Sequence, residues 1–462
     1  MEKYLGNKAS LLPLIENFLR HRMAGATRIS DLFAGTNNVG RYFRSRGWAT
    51  AACDSNRFSY VLAQAYLGTA AAPTFDGLQD AQADPFRLRQ LQAELGRGIS
   101  RFGEMYLPGR NAARVFEDLA ALADVLARLQ VIGEENATPG VITDCYTAWG
   151  ARSGFTSLRG TQGVRNYFSR PNALFLDGVL GTVRAWWREG RLRRHEVFLL
   201  LTSVLEEVVI TANVNGTFHD FNRTRIWPNA EQSFQLRLPL IACDGPPAEI
   251  ANADSMAAAS GFAGHDVCYL DPPYNFRQYG AYYHLLNFIA AFPFLPDIET
   301  YVGGLRHVRG QHPEDDFASN FCYKDRFIDS LRRLIANADA DHVVLSYYGG
   351  RNHWNHWSAV SEPTDEGLRE LRALFEDRSL FMSSEVVPAL EIRRNYQSRA
   401  GEQKELVNEY LFHGVRHARP ARPAPQAIAP LAANVRWGLA NEFGHTFPMA
   451  DDGVEDGVRT VG

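Results

Sequence analysis

Residues 27–53 read TRISDLFAGTNNVGRYFRSRGWATAAC, and the order of apolar and turn-forming residues in them decides the fold class. Ile29, Leu32 and Phe33 mark a short buried strand, and GTNNVG at 35–40 breaks it. VGRYFRSRG then turns as a helix, and WATAAC at 48–53 is strand-like. Strand, turn, helix and strand form the first unit of a doubly wound α/β sheet.

Outward from that unit the texture changes. From Thr69 to about Arg237 alanine-rich helical patterns dominate, at Phe116–Leu129, Ala173–Trp187 and Glu196–Ile210, with glycine-rich loops between them. Buried-strand candidates return at Asp266–Leu270, His342–Tyr348, Glu385–Ile392 and Glu405–Phe412, with amphipathic helices at Arg326–Ile335 and Glu366–Phe375. One sheet is therefore expected to be split by a mainly helical insertion. The expected divisions are 1–70 and 241–416 for the sheet domain and 71–240 for the insertion. Residues 417–462 complete the chain, a proline- and alanine-rich extended arm followed by a disordered acidic tail at Asp451–Gly462.

A chain of 462 residues suits two or three domains, and 45% hydrophobic with 12% aromatic residues excludes global disorder. The longest apolar run, Val197–Ile210, is interrupted by Glu206 and Glu207, so no membrane span is expected, and MEKYLGNKAS lacks the core of a signal peptide. A cytoplasmic protein is the expectation. Cys53, Cys145, Cys243, Cys268 and Cys322 have no disulfide or metal-ligand spacing, and no histidine set reads as a metal site. His353-Trp354-Asn355-His356-Trp357 reads as packing, and Trp186-Trp187 as helix core. The net charge of −4 gives no global sign of a polyanion partner. Only Lys3, Lys8, Lys324 and Lys404 are lysines, an imbalance that base composition of the coding DNA explains as well as phosphate binding does.

Chemistry is written most clearly at Tyr269-Leu270-Asp271-Pro272-Pro273-Tyr274, directly after a strand candidate. Two prolines cannot continue a sheet, so the Asp271 carboxylate, the Pro272 carbonyl and the Tyr274 ring are expected at the strand's C-terminal edge, where open α/β sheets bind ligands. An exocyclic amine on a nucleobase is a poor nucleophile because its lone pair is delocalised into the ring. Two acceptors can take its hydrogens and favour a pyramidal nitrogen, while Tyr274 stacks on the base. A capped Pro-Pro turn with a packed tyrosine is the bland alternative. Upstream, Gly35 lets the backbone approach a ligand beside helix amides, and Asp54, nineteen residues on, stands near the spacing at which a carboxylate meets ribose hydroxyls.

D-L-F-A-G at 31–35, D-P-P-Y at 271–274 and K-Y-L-G-N-K at 3–8 together resemble the D12-class, Dam-type adenine-specific DNA methyltransferases. Further similarity lies at 168–187, Ala212–Asn222, Asp271–Phe288, Leu345–Gly350 and Lys404–Phe412, so the resemblance spans roughly 1–414. It implies a Rossmann-like, seven-stranded mixed sheet with a helical target-recognition insertion, and transfer of a methyl group from S-adenosylmethionine to N6 of adenine in double-stranded DNA. It also implies that Tyr4 and Lys8 close over the cofactor, and that Asp31, Phe33, Ala34, Gly35 and Asn37 form its loop, with Phe33–Gly35 under the methionine moiety. Asp54 would bind the ribose, Asp254 the adenine amine, and Asp271, Pro272, Pro273 and Tyr274 the target base. Asn37 replaces the family's usual second glycine, a substitution that a left-handed turn tolerates.

A base inside a duplex must be flipped to reach such a pocket. Residues 151–237 carry twelve arginines against seven acids, whereas 71–140 carry seven against ten, so the second half of the insertion is the DNA-facing candidate. Arg152, Arg159, Arg165, Asn166 and Arg170 lie on glycine-punctuated loops, Asn222, Arg223 and Arg225 follow a motif strand, and Arg393, Arg394 and Arg399 are read in a late loop. For any single arginine a solvated surface role is the simpler reading. The expected partners are double-stranded DNA and a cognate restriction enzyme. Rival readings are a cytosine-N4 methyltransferase, disfavoured by Asp271 where those enzymes more often have serine, a catalytically silent DNA-binding relative, and a nicotinamide oxidoreductase, whose G-x-G-x-x-G is absent.

Overall fold

The computed structural model describes residues 8–246, 248–349, 352–354, 365–395, 404–417 and 427–443. Within them the strands are β1 (Arg28–Asp31), β2 (Ala49–Asp54), β3 (Gly154–Thr156), β4 (Gln162–Val164), β5 (Ala248–Asn252), β6 (His265–Leu270), β7 (Ala340–Tyr348), β8 (Phe381–Asn395) and β9 (Lys404–Arg416). Seven form one sheet in the order β5-β2-β1-β6-β7-β9-β8, and β3 and β4 make a separate two-stranded ribbon. The strands from β5 to β7 are parallel, while β9 runs antiparallel to both β7 and β8. The expected seven-stranded mixed α/β sheet is present.

Strand order fixes where a ligand can sit. From β1 the chain moves outward to β2 and β5, then returns to the opposite flank of β1 with β6 and β7. The β1–β6 boundary is thus the switch point, and the loops leaving these two strands diverge to opposite faces and open a crevice. Asp31 pairs with Tyr269 across that boundary, so the two sequence motifs begin side by side.

The helices are α1 (Leu12–Arg22), α2 (Asn38–Arg44), α3 (Arg57–Tyr66), α4 (Pro85–Tyr106), α5 (Ala112–Asp118), α6 (Ala120–Glu135), α7 (Val141–Tyr146), α8 (Arg170–Arg188) and α9 (Arg194–Thr211), with further helices after them, among them Lys324–Asn337 and Glu366–Phe375. The helix expected at 116–129 is two, α5 and α6, meeting at the fully buried Leu119. Helix α9 is apolar on nearly every face because α3, α6, α8 and the helix His284–Ala291 surround it. The two glutamates in its run have partners: Tyr66 Oη donates to Glu206, and Glu207 lies 3.4 Å from Arg237. The sheet and the helical layer share one core, which joins Ala34, Ala52, Ala248 and Ile250 to Val61, Leu126, Leu176 and Leu201. Arg44 ties both ends of the helical stretch together by donating to the carbonyls of Thr69 (2.7 Å), Ala242 (3.3 Å) and Pro246 (3.2 Å).

Two expectations are corrected. Arg393 and Arg394 lie on strand β8 opposite Leu406 and Glu405, because the hairpin with β9 extends through them; they are not in a loop. The arm is not extended over 427–443, where Ala432–Arg436 and Ala440–Phe443 are helical, and Ile428, Leu439 and Phe443 are buried because apolar residues resume beyond the prolines. Residues 451–462 and Arg399 fall outside the described residues. Among the described residues no helix is long and apolar enough to cross a membrane.

A common core makes the two parts unfold together. Leu201→Ala in α9 is expected to cost about 2–5 kcal/mol, and urea unfolding followed by near-UV and far-UV dichroism should show one shared transition. Two separated transitions would mean that the helical layer folds alone.

Candidate active site

Each wall of the crevice follows from a local backbone demand. At the end of β1 the chain must leave the sheet and start α2 within six residues. Gly35 (φ 52°) and Asn37 (φ 60°) take left-handed conformations to do so, and the Asn37 carbonyl accepts the first helical bond from Arg41 (2.9 Å). Asn37, read as a cofactor contact, is turned inward: it is fully buried, is not among the cavity-lining residues, and its side-chain amide donates to the Ser59 carbonyl (2.9 Å). Asparagine therefore supplies both the φ that glycine would and a tie to α3. The Gly35 amide donates to Asp54 Oδ2 (2.8 Å), and the Asn56 amide to Oδ1 (2.8 Å). Burial raises the Asp54 carboxyl above its usual range, and these amide donors work against that.

At the end of β6 the Pro-Pro turn holds Asp271, Pro272 and Pro273 against the cavity. Tyr274 is buried between Tyr348 (5.7 Å between ring centres) and Tyr347 (6.3 Å), and its carbonyl accepts from the His353 amide (2.8 Å). His353 and Trp354 pack against Phe327, as expected of that run, whose remaining members lie outside the described residues. Beneath Asp271 sits Lys8, only 3% exposed, with Nζ 3.2 Å from Asp271 Oδ1 and ion-paired to Glu409, which also accepts from Ser346 Oγ (2.7 Å). Burial opposes a charge on Lys8, but Asp271 and Glu409 overcome it and the ammonium is held well above the ordinary lysine range. Lys8 thus supports the Asp271 carboxylate from below. Tyr4, grouped with it from the sequence, is outside the described residues.

Together these walls line a cleft, open to solvent, of about 1080 Å³, bordered by Lys8, Asp31, Phe33, Ala34, Gly35, Asp54, Asp254, Asp271, Pro272, Pro273 and Tyr274, among others. Asp254 also caps the helix Ser255–Gly261, accepting from the Met256 amide (2.8 Å). Among the described residues the lining carries four aspartates, of which Asp31 is held protonated, and one ammonium. That balance repels a pyrophosphate and suits a ligand bearing ammonium and sulfonium cations with hydroxyls for Asp54, so S-adenosylmethionine fits the donor set and a dinucleotide does not. Asp31 is buried 4-residue-strand end and cavity wall at once; burial first, then the charges of Asp271 and Asp54, push its carboxyl up to about 8, against the Phe33 amide that donates to it (3.1 Å).

The arginines divide sharply. Arg159, Arg170, Arg223 and Arg225 are exposed, Arg223 beside Asp220 (3.2 Å) and Arg225 over the Trp227 ring (4.1 Å). Arg165 and Asn166 are buried instead, a correction to their reading as DNA contacts. Arg165 donates to the carbonyls of Arg152 (3.0 Å), Val308 (3.1 Å) and His307 (3.2 Å), and Asn166 to that of Asn222 (3.2 Å). Arg152 is exposed but ion-paired with Asp144 and with Glu299 (2.5 Å). The motif stretch 212–222 is an irregular loop, not a strand, held by the buried Asn213, whose amide donates to the carbonyls of Asn166, Asn222 and Arg225. Sequence reasoning missed Glu409, Gln278, Tyr279, Phe317 and Leu431. A charged residue in the middle of the apolar strand at 405–412 was the available signal for Glu409.

Removing Lys8 leaves the buried Glu409 and the partly buried Asp271 without their shared cation. Lys8→Met is expected to destabilise the protein by about 3–5 kcal/mol in chemical denaturation, and adding Glu409→Gln should recover part of the loss. For Asp31 the folded chain holds a proton that the unfolded chain releases above pH 3.8, so its contribution to stability falls as pH rises toward about 8. The melting temperature of Asp31→Asn should therefore gain on that of the native protein between pH 5 and about 8, and parallel curves would count against a buried protonated carboxyl.

The geometry can be set beside known proteins. The family model described as D12 class N6 adenine-specific DNA methyltransferase matches residues 4–96 and 188–293, which hold both motif strands. The chain is similar to modification methylase StsI of Streptococcus sanguinis, 25% identical over 413 residues that cover 89% of this chain and 51% of that protein. It is also similar to type II methyltransferase M.NlaIII of Neisseria lactamica, 28% identical over 353 residues, 74% of this chain and 82% of that protein. Modification methylase LlaI of Lactococcus lactis subsp. lactis is 25% identical over 415 residues, 89% of this chain and 54% of that protein. The chain thus spans about half the length of StsI and LlaI. Motif order, sheet order and the match to both motif strands point the same way: the chain is similar to the D12 class N6 adenine-specific DNA methyltransferases.

Proposed function

We propose that the chain transfers a methyl group from S-adenosylmethionine to N6 of adenine within a short specific site in double-stranded DNA. The observation that carries this reading is the single acidic cavity in which the end of β1 and the Asp-Pro-Pro-Tyr turn of β6 meet. The cofactor, when bound, supplies a methyl group activated by a sulfonium. Phe33, Ala34 and Gly35 would lie under its methionine half, Asp54 would accept from the ribose hydroxyls and Asp254 from the adenine amine. Asp271 and the Pro272 carbonyl would accept the two hydrogens of the target amine and hold its lone pair toward the donor, while Tyr274 orients the flipped base. Lys8 fixes the Asp271 carboxylate and compensates its charge.

On the DNA side we infer that residues 71–240 recognise the target. The family model passes over 97–187, the part in which recognition must differ between relatives, and this part holds the β3–β4 ribbon with Arg159 at its exposed turn and Arg170 at the start of α8. Arg223 and Arg225 lie exposed in the following loop. Several relatives are named modification methylases or type II methyltransferases, which supports a role beside a restriction endonuclease.

Asp271→Ala should cut methyl transfer to DNA by about 10²–10³-fold or more while leaving dichroism unchanged and the cofactor bound. Retained transfer would overturn the role given to Asp271. Mass spectrometry of nucleosides from DNA treated with the native protein should show N6-methyladenine, and N4-methylcytosine instead would move the chain to the cytosine class.

A further inference from the structure

The acidic cavity is closed on one side by chain from outside the sheet. Leu431 lines it together with Asp54, Asn56 and Asp254. Three residues on, Asn434 is fully buried; its side-chain amide donates to Asn252 Oδ1 (2.7 Å), and its Oδ1 accepts from Arg57 Nε (2.6 Å). Asn252 ends β5, two residues before Asp254, and its own amide donates to the Asp54 carbonyl (2.8 Å). Arg57 begins α3 just past Asp54 and is locked by a buried two-pronged pair with Asp315 (2.9 and 3.1 Å). Asn434 is therefore fixed to the ends of the two strands that present the ribose and adenine acids. The segment is anchored on both sides of Leu431: Ile428 is buried before it, and Leu439 and Phe443 are buried after it, with Trp437 edge-on to His312 (4.8 Å).

We propose that residues 427–443 are a strap forming the outer wall of the cofactor pocket, with Leu431 a binding residue for the nucleoside half of S-adenosylmethionine and Asn434 the positioning residue that holds it there. This rests on the reading of the cavity as the cofactor site. An apolar side chain over the nucleoside keeps water from the hydrogen bonds of Asp54 and Asp254, which are worth more in a dry site. On this assignment Leu431 would cover the nucleoside half alone, so adenosine should feel its loss as strongly as the whole ligand does.

Calorimetric titration of the full chain with S-adenosylhomocysteine tests this. Leu431→Ala is expected to weaken binding about tenfold and Leu431→Asp more, with adenosine losing the same factor. Because Leu431 is only half-buried, dichroism and thermal unfolding of Leu431→Ala should match the native protein. Asn434→Ala should weaken binding in the same direction. Native affinity in Leu431→Ala overturns the strap. Failure of the native protein to bind S-adenosylhomocysteine would instead overturn the cofactor reading beneath it.

Discussion

The pairing of β1 with β6 is the constraint from which the site follows. Parallel strands deliver their C-terminal ends to the same edge, and only at a switch point do the chains leaving neighbouring strands separate enough to leave a crevice. Here that pairing sets Asp31 opposite Tyr269, so a glycine turn and a proline turn open side by side. Neither turn is a site alone. What they share is a concentration of acid that a cation can balance, and among the described residues Lys8 supplies one from beneath.

Buried arginines perform much of the assembly. Arg44 gathers the carbonyls at both ends of the helical stretch, Arg165 gathers those of two loops, and Arg57 joins α3 to Asp315 and Asn434. A guanidinium offers five donors in a planar fork, so it can satisfy several carbonyls where irregular backbone is buried. The excess of arginine over lysine in this chain has a structural use that neither base composition nor phosphate binding describes.

What was legible in the sequence was local. Gly35, Asp54 and Asp271–Tyr274 are set by turn chemistry within a few residues of a strand end, and they met in one cavity. The helical texture of 69–237 was legible from periodicity, although the break at Leu119 was not. Illegible were the pairings across hundreds of residues: Lys8 with Glu409, Arg57 with Asn434, and Asn434 with Asn252 at the end of β5. Arg165 was misread for the same reason, since a loop arginine reads as solvated until the carbonyls of 307 and 308 are brought to it. Asn37 shows the converse, a departure from a motif that the local backbone accommodates.

The common core of sheet and helices also bears on how such proteins diversify. An insertion with a private interior could be traded between relatives like a cartridge. Here, exchanging α6, α8 or α9 would disturb a core that also contains Ala52 and Ile250 of the sheet itself. On the recognition role proposed above, new specificity is cheaper to evolve, and to engineer, at the ribbon between Gly154 and Val164 and the loop around Arg223, whose exposed tips can change without repacking the interior.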